Sequence, residues 1–172
     1  GIYYYKSGQQ KSFEEIKDKI SMLPQKDISL FQFMIDSALI DDRLDDVIAY
    51  AKKLILIEPG NLAIRLQLAQ IYMNQEKYKE ALLEFKAIES RLDTYPKLQY
   101  YMSKLYLLTD NIDKAMKLAQ KEIDANSTSE DGYILLGDIY RRQKDYLNAE
   151  KLYKKAQKIN GDNVDMLIGL SI

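Results

Sequence analysis

The stretch Leu135–Ala156, "LLGDIYRRQKDYLNAEKLYKKA", decides the fold. Almost every residue in it favours a helix, yet Gly137 stands inside the first half. Glycine in a helix interior costs about 0.5–1 kcal/mol relative to alanine. Stepping from Gly137 by 34 residues backward meets Ser103, Ala69 and Ile35, and one step forward meets Ser171. Other columns keep the same step. Tyr140 aligns with Tyr106, Tyr72 and Ala38; Ala149 aligns with Ala115, Ala81 and Val47; Leu136 aligns with Met102, Leu68, Met34 and Leu170. Agreement of several columns at one period marks a repeat architecture.

Each period holds a polar break between the small residue and the alanine: "DDRL" at 41–44, "NQEKY" at 74–78, "TDNI" at 109–112 and "QKDY" at 143–146. The repeating unit is therefore two short helices joined by a turn. "EPGN" at 58–61 and "NGDN" at 160–163 end second helices, and Pro96 stands near a helix start, where a missing N–H does no harm.

The residues Tyr133, Leu136, Gly137, Tyr140, Ala149, Tyr153 and Ala156 together resemble the tetratricopeptide repeat. Residues 62–95 resemble it through Leu68, Ala69, Tyr72, Ala81 and Phe85. Residues 96–129 do so through Met102, Ser103, Tyr106 and Ala115, with departures at Ala119 and Glu122. Residues 28–61 are more degenerate. The resemblance implies an all-α, right-handed superhelical solenoid of antiparallel helix pairs over residues 1–172. Full repeats are expected at 28–61, 62–95, 96–129 and 130–163. A partial repeat is expected at 1–27 and the start of another at 164–172. Both ends fall inside repeats, so a segment of a longer protein is expected. On this reading, the small column allows close approach of the two helices opposite the alanine column. Ala149→Leu should then destabilise the fold.

Composition narrows the function. The chain carries 25 basic and 26 acidic residues, a net charge of −1, without the basic excess of a nucleic-acid binder. No apolar run approaches the roughly 20 residues that span a bilayer. Cysteine and histidine are both absent, which removes thiolate nucleophiles, the commonest metal ligand and the usual acid–base group near neutral pH. Neither an enzyme nor a cofactor or metal site is expected. The paired aspartates of "DDRLDD" at 41–46 read as caps and dipole partners of the following helix. "NGDNVD" at 160–165 lacks the spacing and closing glutamate of a calcium loop. The Lys-, Ile- and Tyr-rich usage is of a bacterial kind, and a cytoplasmic or bacterial periplasmic placement stays open.

By the resemblance, first helices line a concave groove that takes up a partner. The groove residues so implied are Phe33, Asp36, Ile40, Leu66, Gln70, Met73, Tyr100, Tyr101, Lys104, Leu108, Ile134, Asp138, Arg141 and Arg142, with Leu107 and Leu135 among the remaining groove positions. The chaperone-binding members clamp a carboxylate with Lys, Asn and Arg. Here Gln32, Asp36, Gln67 and Tyr101 hold such positions, so no clamp is expected. The implied function is a scaffold that binds another protein, presented as an amphipathic helix or an extended apolar peptide. The alternatives are self-association in a homo-oligomer and a groove filled by a flanking segment of the same chain. Nucleic acid is not expected as a partner.

Overall fold

A computed structural model describes residues 28–92, 95 and 97–160. The expected partial repeats at 1–27 and 164–172, residues 161–165 of the "NGDNVD" stretch and Pro96 lie outside the described residues. Eight helices are described: α1 (Ile28–Ile40), α2 (Leu44–Ile57), α3 (Leu62–Asn74), α4 (Tyr78–Glu89), α5 (Leu98–Leu108), α6 (Ile112–Ala125), α7 (Glu130–Arg142) and α8 (Tyr146–Ile159). The fold is all-α. The chain divides into two compact units, Gly1–Leu68 and Ala69–Ile172, with the boundary inside α3.

In the first unit α1 packs on α2. Phe31, Met34, Ile35 and Ala38 are buried with Val47, Tyr50, Ala51 and Leu54. The turn between these helices departs from expectation. Arg43 occupies the N-cap position of α2, and its side chain makes no capping hydrogen bond. The Arg43 guanidinium instead pairs with Asp46 and, at 3.2 Å, with Asp41. Asp45 and Asp46 lie in the first turn of α2, where negative charge favours the helix dipole. Asp41 and Asp46 thus act on a central arginine, and Asp45 and Asp46 on the dipole.

In the second unit α5 packs on α6, α7 on α8, α4 on α5 and α6 on α7. The small and alanine columns are buried: Ala69, Ala81, Ser103, Ala115, Gly137 and Ala149. The packing at Gly137 adds to the sequence expectation. A Cβ placed on it would lie 2.6 Å from Cε1 of Tyr153, so the glycine makes room for that ring of the second helix. Thirty-four residues earlier the sizes are exchanged. Ala119 replaces the tyrosine, and Ser103 replaces the glycine. The Ser103 hydroxyl donates to the Ala115 carbonyl at 2.6 Å. A small second-helix residue thus permits a larger first-helix residue, and the converse holds at Tyr153.

One turn recurs through the described chain. Asp42, Glu76, Asp110 and Lys144 have left-handed backbones, with φ of 56°, 57°, 62° and 64°. They stand 34 residues apart. The next amide in each case reaches back five residues: Arg43 to Ala38, Lys77 to Tyr72, Asn111 to Tyr106 and Asp145 to Tyr140, at 2.8–2.9 Å. This is the Schellman ending, which satisfies orphan helix carbonyls and reverses the chain. Glycine is the usual residue there. None of these four described turns uses it, which hides them from sequence reading. Asp145 then caps α8, its Oδ1 accepting from the Asn148 amide at 3.2 Å.

Candidate functional site

The second unit carries a groove between α5 and α7 with a volume of about 360 Å³. Tyr100, Lys104, Leu107 and Leu108 form one wall. Ile134, Leu135, Asp138, Arg141 and Arg142 form the other. The spacing explains why these residues meet. Positions i, i+4, i+7 and i+8 share a helix face, and 100, 104, 107 and 108 match 134, 138, 141 and 142 after a step of 34. The two faces carry different chemistry. The α5 wall is mostly apolar, with Leu108 41% exposed. The α7 wall ends in charge.

That charge is organised by the helices beneath. The Tyr153 hydroxyl, on α8, donates to Asp138 Oδ1 at 2.7 Å, and Arg141 lies 3.7 Å from the same oxygen. Burial first, then the bond to Asp138, holds the Tyr153 pKa above the ordinary tyrosine range. Arg142 donates to the Leu107 carbonyl at 2.8 Å and to Asp110 Oδ1 at 3.2 Å. It therefore ties the end of α5 to α7. A second tie joins Lys97 to Asp131 at 2.5 Å, and that carboxylate raises the Lys97 pKa.

The expected groove residues divide as follows. Tyr100, Lys104, Leu108, Ile134, Asp138, Arg141 and Arg142 line the one groove, with Leu107 and Leu135 beside them. Ile134 is only 7% exposed and packs with Ala149, Tyr153 and Ala156, so it forms the floor. Tyr101 does not line the groove. Its ring stacks on Phe85 with centroids 5.4 Å apart and planes at 9°. Tyr100 meets the edge of Tyr101 at 5.4 Å, and the Lys104 ammonium lies 6.0 Å from the Tyr100 ring centre. Gln70 and Met73, on α3 in the same unit, are exposed and half-buried and do not line it.

In the first unit Phe33 and Leu66 are half-buried, and Asp36 is exposed and accepts from the Gln32 amide at 2.9 Å. Ile40 is 62% exposed. Among the described residues no cluster of carboxylates is arranged to hold a metal ion. No described helix is long and apolar enough to cross a membrane.

The tetratricopeptide repeat pattern matches residues 38–94 and again residues 130–163. Tetratricopeptide repeat protein 21B of Xenopus laevis is 29% identical over 105 residues, 60% of this chain. The chain spans only 8% of that protein's length. Among solved structures, MamA superposes with a TM-score of 0.73 at 20% identity, over 83% of this chain and 78% of its own. A tetratricopeptide repeat protein of Parabacteroides merdae gives 0.71 at 19% identity, over 83% and 57%. YrrB, described as having an unusual peptide-binding site, gives 0.66 at 15% identity, over 93% and 78%.

Proposed function

Because the chain belongs to the tetratricopeptide repeat family, whose fold is a scaffold for protein–protein contacts, we propose that its α5–α7 groove binds a segment of a partner protein. The occupant is an amphipathic helix or an extended peptide with an apolar edge. One observation carries this reading. Tyr100, Leu107 and Leu108 present apolar surface on one wall, while Arg141 and Arg142 on the other are already held by Asp138, the Leu107 carbonyl and Asp110. Their positive charge is largely answered within the protein. The apolar wall is what remains for a partner to cover.

The test uses a displayed library of random peptides selected on the protein. Selected peptides should carry leucine or aromatic residues at i, i+3 or i+4 spacing, or at every second position. Tyr100→Ala/Leu108→Ser should weaken them at least about tenfold with little change in melting temperature. Tyr101 is left intact because its ring packs on Phe85. Unchanged affinity in the double variant would refute the groove assignment.

A further inference from the structure

The face of α7 opposite the groove opens on a second, chemically distinct cleft. At about 100° per residue, Ile134, Leu135, Asp138, Arg141 and Arg142 fall on one side of α7, and Leu136 and Tyr140 on the other. Leu136, Tyr140 and Leu152 give this second cleft apolar surface within a volume of about 530 Å³. Lys151, Lys154, Lys155 and Lys158 of α8 surround it, and no described lining residue is acidic.

The lysine pattern is unfavourable for an isolated helix. Lys151/Lys155 and Lys154/Lys158 are like-charge pairs at i, i+4, each destabilising by a few tenths of a kcal/mol. The protein answers only part of this charge. Lys154 pairs with Glu150, and Lys155 leans over the Tyr133 ring at 5.7 Å. Lys151 and Lys158 stand at the two ends of the stripe, two helical turns apart.

We propose that this cleft is a docking site for an acidic, leucine-bearing segment of a second protein. Carboxylates on the segment would meet the lysine stripe, and an apolar side chain would enter over Leu136 and Leu152. Charge complementarity selects the sign of the partner. The aliphatic lining favours a peptide over RNA, because single-stranded nucleic acid needs aromatic platforms for stacking and Tyr140 is half-buried. A second copy of this chain fits less well: its most acidic described stretch, 41–46, has Asp41 and Asp46 committed to Arg43.

The probe is a fluorescein-labelled helical peptide of about 15 residues, with leucines at i, i+4 flanked by glutamates, titrated into the intact chain. It should bind, and binding should weaken as added salt screens the charges. Lys151→Ser/Lys158→Ser should reduce affinity about tenfold with an unchanged circular dichroism spectrum, whereas Tyr100→Ala/Leu108→Ser should leave it intact. Failure of the peptide to bind, or equal affinity in the lysine variant, overturns the proposal. So does tighter binding of an oligouridylate of similar length, or a dimer in sedimentation that the lysine variant dissociates.

Discussion

The Tyr153 hydroxyl donates to Asp138 Oδ1 at 2.7 Å, joining a side chain that is 1% exposed to the charged wall of the groove. Core packing in α8 thereby positions a groove residue in α7. Tyr153→Phe removes only the hydroxyl. It should cost about 1.5–3 kcal/mol, the range for a hydrogen bond to a charged acceptor, read by urea denaturation. It should also remove one of the contacts that hold Asp138 and alter peptide affinity at the groove.

The same contact gives a pH signature. The Tyr153 pKa is raised in the folded protein above an unfolded value of about 10. Its contribution to stability is fully present below about pH 10 and is lost as the pH climbs through the folded pKa. Stability should therefore fall on the alkaline side from about pH 10, and Tyr153→Phe should flatten that decline. An identical alkaline profile in the variant would contradict the assignment.

Gly137 and Gly60 should respond in opposite directions to alanine. Gly137→Ala gains helix propensity but drives a Cβ to 2.6 Å from the Tyr153 ring. The overpacking should win, with a net loss of about 1–3 kcal/mol. Around Gly60 nothing lies within 4 Å of an added Cβ, and Gly60→Ala should be neutral or stabilising by a few tenths of a kcal/mol, since alanine restricts the unfolded chain. In a Tyr153→Ala background the penalty at Gly137 should largely vanish. Thermal denaturation of the wild type, the two single variants at 137 and 153 and the double variant reads that coupling as a double-mutant cycle.

The left-handed turns offer a stabilising change. A non-glycine residue at positive φ costs about 1–2 kcal/mol, against about 0.5–1 kcal/mol for the extra entropy that glycine loses on folding. Glu76→Gly and Lys144→Gly should each raise stability by roughly 0.5–1 kcal/mol, measured as a higher urea midpoint. A lower midpoint would mean that these side chains make contacts worth more than the strain.

The period was legible in the sequence because packing restricts side-chain size at recurring positions. Met102, Leu136, Ala115 and Ala149 show this at one step of 34. The positions that meet between α5 and α7 came from the family resemblance, and helical periodicity explains why those positions share a face. Three features were not legible. Tyr101 looked like a binding residue because its stacking on Phe85 bridges two helices and leaves no local signal. The arginine at the N-cap position of α2 was not legible, because the four aspartates of 41–46 are the residues that ordinarily take that place. The Schellman endings were hidden because Asp, Glu and Lys stand where glycine would announce them.

The connections differ in what they would tolerate from an engineer. Every link within a helix pair is three residues long, at 41–43, 75–77, 109–111 and 143–145, and each holds a left-handed residue at its centre. Links between pairs run from four residues, at 58–61 and 126–129, to eight, at 90–97. A spectroscopic label, an epitope or a protease site inserted within a three-residue link would displace the reversing residue and splay its helices. The same insertion beside Ser127, where residues 126–128 are exposed, would displace no left-handed residue and would break only the surface contacts of Asn126 with Thr128 and Ser129, so that link is a better place to cut or tag this chain.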